Sequence, residues 1–172
     1  MTVIQKNFTW REGSTKDKEQ LMKLGLISYS QYATILTPDN WAKLNGFFHD
    51  EAKWTDLINK SKSFVCLDKG EIVGMAFIIP SSNPWDIFKA EWSYIRMVGV
   101  NPTYQGQGIA KTLTKMCIDY AKQTKEKTIA LHTSEFMDAA RHVYESLGFE
   151  KIQEIEPRLG KKYWLYMLDL AN

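Results

Sequence analysis

The residues best suited to chemistry lie between a predicted strand and a predicted helix, in the glycine-rich segment Gln105-Gly106-Gln107-Gly108-Ile109-Ala110-Lys111. A helix N-terminus presents unpaired N–H groups and a partial positive charge, so it can hold an anion. The two glycines and the small alanine leave room for a phosphate to approach the backbone, and the lysine adds a positive charge in the first turn. The segment therefore predicts an anion site at the start of a helix.

Two common phosphate-binding loops do not match this segment. A dinucleotide fingerprint needs a third glycine or alanine where Lys111 stands, and an acidic residue about 20 positions further on in an opening strand–helix–strand unit. A Walker A loop needs a Gly-Lys-Ser or Gly-Lys-Thr ending, which is absent from the sequence. Spacing alone also leaves open a glycine turn that only starts a helix.

A third pattern matches a known family. Gln105-x-x-Gly108-x-Ala110 resembles the Gln/Arg-x-x-Gly-x-Gly/Ala signature of the GCN5-related N-acetyltransferase (GNAT) family. Val98 to Val100, followed by Asn101-Pro102, resembles the family's fourth strand, and Tyr144 to Phe149 resembles its Tyr-x-x-x-Gly-Phe segment. The order of elements is similar from Phe8 to Leu170, and the motif-bearing core spans residues 92–155 of a single predicted domain, 1–172.

The resemblance implies that acetyl-CoA is the cosubstrate, with no metal, and that an amine attacks its thioester directly. It implies that Tyr144 is the general acid, since a phenol is protonated at neutral pH and can donate to the leaving thiolate. Gly99 inside a strand indicates a bulge or a close backbone approach. The residues implied to bind the cofactor are Val98, Gly99, Val100, Gln105, Gly106, Gln107, Gly108, Ile109, Ala110 and Lys111.

The general base is not assigned by the sequence. Many family members carry a glutamate on the fourth strand where this chain has Tyr94, and an asparagine where it has Met137. Glu91, His132 and Glu135 are the alternatives, the latter two acting through water. A non-catalytic CoA-binding or sensing protein of the same fold, and transfer of a longer acyl group, therefore stay open.

The order of elements predicts an α/β fold with a mixed, mostly antiparallel central sheet of six to seven strands and about four helices. The predicted helices cover residues 16–32, a stretch from Pro38 to about residue 58, 108–122 and 136–147. Asp68-Lys69-Gly70 predicts a hairpin turn, Pro38 a helix start and Gly148 a helix end.

The connection at residues 80–91, with Trp85 and Phe88, is predicted to shape the acceptor pocket together with the helical region from Trp41 to Trp54, or else to form a surface or dimer contact. The net charge of +2 gives no support for nucleic acid, and no stretch predicts a membrane span. Cys66 and Cys117 are expected to be buried free thiols in a reducing cytoplasm. The acceptor is a small-molecule or peptide amine that the sequence does not identify, and a homodimer is an expectation of the family alone.

Overall fold

The computed structural model describes residues 7–171; residues 1–6 and residue 172 lie outside that range. Within these residues there are seven strands: β1 Thr9–Glu12, β2 Lys62–Asp68, β3 Glu71–Ile79, β4 Ser93–Val100, β5 Thr128–Ser134, β6 Glu150–Arg158 and β7 Lys161–Asp169. They form one sheet in the order β1-β2-β3-β4-β5-β7-β6, in which β4 and β5 pair parallel and the other neighbours pair antiparallel. This confirms the predicted fold class.

Five α-helices are described within residues 7–171, one more than expected. The stretch predicted from Pro38 divides because Asp50 takes an extended conformation and its side chain accepts a hydrogen bond from the Lys53 N–H at 3.1 Å, which caps a new helix. Pro38 starts its helix as predicted, after the capping side chain of Thr37. The helices are α1 Lys18–Tyr29, α2 Pro38–Phe48, α3 Glu51–Lys60, α4 Ile109–Gln123 and α5 Asp138–Ser146.

The sheet separates two apolar clusters, since successive side chains of a strand point to opposite faces. On β3, Met75 and Phe77 pack with the α1–α3 face, whereas Ala76 and Ile78 pack with the α4–α5 face. A central strand covered on both sides must be apolar throughout, which explains the continuous run of apolar residues in β3.

Close approaches at two glycines set helices against the sheet and against each other. A Cβ at Gly25 would lie 2.7 Å from the Trp54 ring, so α1 can cross α3 only without a side chain there. A Cβ at Gly74 would lie 2.6 Å from Ile109, the first residue of α4. Gly74 therefore lets the N-terminus of α4 lie directly on β3, next to the strand that lines the site.

Local turns match their predictions. The β2–β3 hairpin turns through Lys69 and Gly70, both with positive φ (51° and 80°), the pattern of a tight hairpin turn that follows the strand twist. Gly148 ends α5 with φ 97°. Cys66 and Cys117 are buried free thiols, and burial raises the pKa of Cys66 to about 11.

Candidate active site

The cleft between β4 and β5 is the candidate site. The two strands pair only at Ser93 with Ile129 and at Tyr94 with Ala130, and then diverge. Beyond Tyr94, the β4 backbone groups on this edge have no partner in β5, and a cavity of about 630 Å³ opens there. The cavity is also lined by parts of α1, the segment before α4, the first turn of α4, α5 and the 80–91 connection.

A bulge in β4 accompanies this divergence. The pairing with β3 changes register between Met75–Gly99 and Phe77–Arg96, and Met97 takes a left-handed φ of 57°. The bulge lies at Met97 and not at Gly99, which corrects one of the two expectations for that glycine. The expected close backbone approach is found at Gly99. A Cβ there would lie 2.8 Å from the Ser28 hydroxyl oxygen, so Gly99 allows α1 to approach β4.

The glycine-rich segment, residues 105–111, forms an exposed turn where α4 begins, and we call this turn the lip. Gly106 and Gly108 both have positive φ (80° and 78°), and a Cβ on either would meet no protein atom within 4 Å. The residue before this segment connects it to the end of β2, because the Tyr104 hydroxyl donates a hydrogen bond to the Asp68 carboxylate at 2.6 Å. The lip therefore offers backbone N–H groups of the α4 N-terminus to an approaching anion.

Most residues implied by the family signature border the cavity. Gln107 is exposed and does not line it. The side chain of Ile109 is buried, so it anchors α4 in the core while its backbone remains part of the lip. The implied cofactor residues that line the cavity are Val98, Gly99, Val100, Gln105, Gly106, Gly108, Ile109, Ala110 and Lys111.

Tyr144 reaches the same cavity from the last turn of α5 and is only 7% exposed. The turn at Gly148 fixes its position, because the Phe149 N–H donates to the Tyr144 carbonyl and the two rings meet edge to face at 5.8 Å. Burial, with smaller effects of Cys117 and Tyr32, raises the pKa of the Tyr144 hydroxyl well above its usual value. The side chain is thus a neutral proton donor across the physiological range.

Three residues at the other end of the cavity lining, Trp85, Phe88 and His132, carry aromatic rings that pack together with the buried ring of Tyr94. Phe88 lies against Tyr94 at 4.4 Å between ring centroids, and against His132 at 5.4 Å. Trp85 lies nearly parallel to both Phe88 and Tyr94, at 6.1 and 6.3 Å between ring centroids, and is 42% exposed. We call Trp85, Phe88, Tyr94 and His132 the aromatic stack. The 80–91 connection therefore contributes two rings, Trp85 and Phe88, to the cavity lining.

Of the three alternatives for a base, only His132 lines the cavity. Glu91 is exposed, and the Glu135 carboxylate accepts a hydrogen bond from the Lys162 N–H at 3.1 Å. Burial lowers the pKa of His132 to about 4, with Arg158 adding to the effect and Asp86 opposing it. The ring is neutral at physiological pH and can accept a hydrogen bond.

The neutral ring of His132 leads to a titration prediction. A histidine in the unfolded chain has a pKa of about 6.5, so the stability linked to this ring is kept above that pH and lost as the pH falls towards 4. We expect the His132 signal in an NMR titration to change with a midpoint near 4. A midpoint of about 6.5 would contradict the buried, desolvated position.

Several lining residues were not predicted from the sequence. Arg96 is on β4 two positions after Tyr94, and this spacing on a strand was the available signal that both face the same side. Tyr29 on α1 donates a hydrogen bond to the Val98 carbonyl at 3.3 Å, which engages one of the backbone groups predicted for the cofactor. Met137 lines the cavity beside Thr133.

In this protein the sheet opens between β4 and β5, beside the glycine-rich start of α4. This is the arrangement of the acyl-CoA N-acyltransferase class. The sequence model of the acetyltransferase (GNAT) family matches residues 29–149, more than half of the chain, and the protein belongs to this family. The PaiA N-acetyltransferase of Thermoplasma acidophilum, solved in complex with coenzyme A, has a similar fold, with a TM-score of 0.77 at 15% identity over 95% of this chain and 99% of that one.

Two curated relatives carry related names. An uncharacterised N-acetyltransferase of Methanocaldococcus jannaschii is 27% identical over 166 residues, covering 95% of this chain and 67% of the relative. The N-acetylaspartate synthetase of Danio rerio is 31% identical over 93 residues, covering 54% of this chain and 31% of the relative. The chain thus spans about two thirds of the first relative and about a third of the second.

Residues 7–171 contain neither a candidate membrane span nor a candidate metal site. None of the helices described there has the length and apolar character needed to cross a membrane. No group of three or more His, Cys, Asp or Glu side chains in that range is arranged to hold a metal ion.

Proposed function

We propose that the protein transfers the acetyl group of acetyl-CoA to an amine. The observation that carries this proposal is the continuity of one cavity from the lip at Gly106 and Gly108, past the β4 edge, to the aromatic stack. Such a cavity has an anion-binding end, a backbone edge able to hydrogen-bond an extended chain, and a ring-lined end. The first two surfaces suit a nucleotide-linked thioester, and the third suits a separate acceptor.

The residues present suit coenzyme A. The open lip leaves space for a pyrophosphate at the backbone N–H groups of the α4 N-terminus, and Lys111 adds a positive charge there. The β4 edge at Val98 to Val100, which β5 leaves unpaired, offers backbone groups to the amides of the pantetheine arm, apart from the Val98 carbonyl that Tyr29 already engages. Acetyl-CoA supplies the activated acyl group in the form of a thioester.

Separate residues of the cleft carry out proton donation, proton acceptance and stabilisation of the developing negative charge. We assign the donor to the thiolate to Tyr144, whose neutral hydroxyl gives its proton as the carbon–sulfur bond breaks. His132 accepts, through water, the proton that the amine loses as its nitrogen–carbon bond to the acetyl group forms. A backbone N–H of the β4 edge donates to the carbonyl oxygen as negative charge develops on it.

An amine panel tests the function. The purified protein is incubated with acetyl-CoA and amines of several classes, and release of the CoA thiol is followed together with native mass spectrometry for bound CoA. We expect bound CoA and thiol release with at least one amine class. Bound CoA without turnover of any amine would favour the sensing alternative, and no CoA binding at all would refute the proposal.

Replacing Trp85 with alanine should weaken acceptor binding. Loss of a partly exposed aromatic wall is expected to raise the KM for the acceptor about 10-fold, because Trp85 stacks beside Tyr94 at the ring-lined end. The KM for acetyl-CoA should change less than 2-fold, since its proposed surface lies at the other end. Trp164→Ala removes an indole that does not line the cavity and serves as the control. Unchanged acceptor KM in Trp85→Ala would remove the 80–91 connection from the acceptor pocket.

Two further proposals concern the cellular location and the oligomeric state. The buried free thiols of Cys66 and Cys117 are consistent with a reducing, cytoplasmic location. A homodimer follows from the resemblance to the family, and size-exclusion chromatography with light scattering would test it.

A further inference from the structure

The charges around the cavity are unbalanced. No Asp or Glu is among the described residues that line it, and the two lining side chains with a full positive charge are Lys111 and Arg96. Lys111 belongs to the lip, where the proposed cofactor supplies negative charge. Arg96 lies at the other end, beside the aromatic stack, where the proposed cofactor supplies none.

The Arg96 guanidinium lies over the Trp85 ring and near the Phe47 ring. Its central carbon lies 3.9 Å from the centroid of the Trp85 ring and 5.9 Å from that of Phe47. Stacking uses the faces of a guanidinium and leaves its N–H groups, which lie in the plane, directed outward. Among residues 7–171 the guanidinium makes no side-chain hydrogen bond and no ion pair, so those donors are available to a ligand in the cavity.

The carboxylates whose charges act on Arg96 are occupied by other cations. Asp86 accepts two hydrogen bonds from Arg158, at 2.9 and 2.8 Å, and Asp56 pairs with Lys60 at 3.0 Å. Partial burial disfavours the charged form of Arg96 and lowers its pKa. A desolvated cation with free donors is stabilised when an anion arrives, and a planar fork of N–H groups suits a carboxylate.

We propose that Arg96 binds a carboxylate of the acceptor, so that the acceptor is an amine carrying a carboxylate on the same molecule. This inference rests on the proposed acetyl transfer and names its substrate class. A polyamine is disfavoured, because its second charge would meet Arg96 with no acidic lining residue to compensate. The carboxylate can belong to a free amino acid or to an acidic residue at a peptide N-terminus, which share the same chemistry.

Matched acceptor pairs test the substrate class. Each pair is an amino acid and its carboxamide, or an Asp- or Glu-initiated dipeptide amide and its Asn- or Gln-initiated counterpart. We expect the wild-type kcat/KM to favour the carboxylate member by about 10- to 100-fold, the range of a charge-assisted hydrogen bond. The series that shows the preference identifies the source of the carboxylate. Equal use of both members in every acetylated pair would overturn the inference.

Variants of Arg96 test the residue. Arg96→Gln is expected to raise the KM for the carboxylate acceptor about 10- to 100-fold, with kcat and the KM for acetyl-CoA changed less than 3-fold. Arg96→Lys should recover part of the affinity, because it restores the charge but not the fork. Lys111→Gln should show the opposite pattern, with a higher KM for acetyl-CoA and an unchanged acceptor preference. Equal losses for carboxylate and carboxamide acceptors in Arg96→Gln would overturn the assignment.

A binding measurement separates this inference from the proposed function. Calorimetry with CoA-loaded protein follows binding of each amine without requiring turnover. Arg96-dependent preference for the carboxylate member supports the inference even if no acetyl transfer occurs, and its absence refutes it. Failure to bind CoA or to release thiol with any amine would refute the acetyl transfer itself.

Discussion

Gly108→Glu is expected to abolish CoA binding while leaving a folded domain. Gly108 is the residue before α4, and a side chain there would project into the open space of the lip. A carboxylate at that point would repel the pyrophosphate and occupy its position, so we expect affinity to fall on the order of 1,000-fold or more. Equilibrium dialysis or calorimetry with CoA would measure the loss.

Gly70→Glu is the matched control for this variant. Gly70 has nearly the same φ, 80° against 78°, and a Cβ there also meets no atom within 4 Å, but it does not line the cavity. Both variants should lose about 1–2 kcal/mol of unfolding free energy from left-handed strain, which urea denaturation would show. Only Gly108→Glu should lose CoA. Normal CoA binding by Gly108→Glu would mean that the phosphates bind elsewhere.

Tyr144→Phe is expected to lower kcat about 100-fold or more, the lower end of the effect of a positioned general acid. The ring that packs on Phe149 remains, so the free energy of unfolding and the KM for acetyl-CoA should change little. Because the raised pKa keeps the hydroxyl protonated, wild-type kcat should show no loss from Tyr144 ionisation between pH 7 and about 10.

Tyr163→Phe is the control for the loss of a hydroxyl. Tyr163 lines the same cavity, and burial raises its pKa to about 12, but it lies next to His132 and not on α5. We expect less than a 5-fold change in kcat for this variant. Equal losses in the two variants, or full kcat in Tyr144→Phe, would contradict the assignment of Tyr144 as the acid.

Local features of this protein were determined by its sequence alone. The turn at Lys69 and Gly70, the helix start at Pro38 and the helix end at Gly148 follow from the φ values that these residues accept. The lip at Gly106 and Gly108 follows in the same way, because glycine spacing before an amphipathic helix defines both its conformation and its open surface. Such features depend on neighbours within a few positions, so no tertiary contact is needed to predict them.

The acceptor end was decided by the tertiary structure. Asp86 and Arg158 pair across 72 positions of sequence, and the stacking of Trp85 on Arg96 depends on how the 80–91 connection folds over β4. The bulge at Met97 likewise depends on how β4 pairs with β3, which the local sequence does not determine. Burial among these elements lowers the pKa of His132, so that its ring is neutral, while the Arg96 donors stay free. Burial depends on the whole fold and not on the residue type alone. The sequence therefore predicts where a cofactor anion binds, while tertiary packing supports the proposal for the kind of amine that binds beside it.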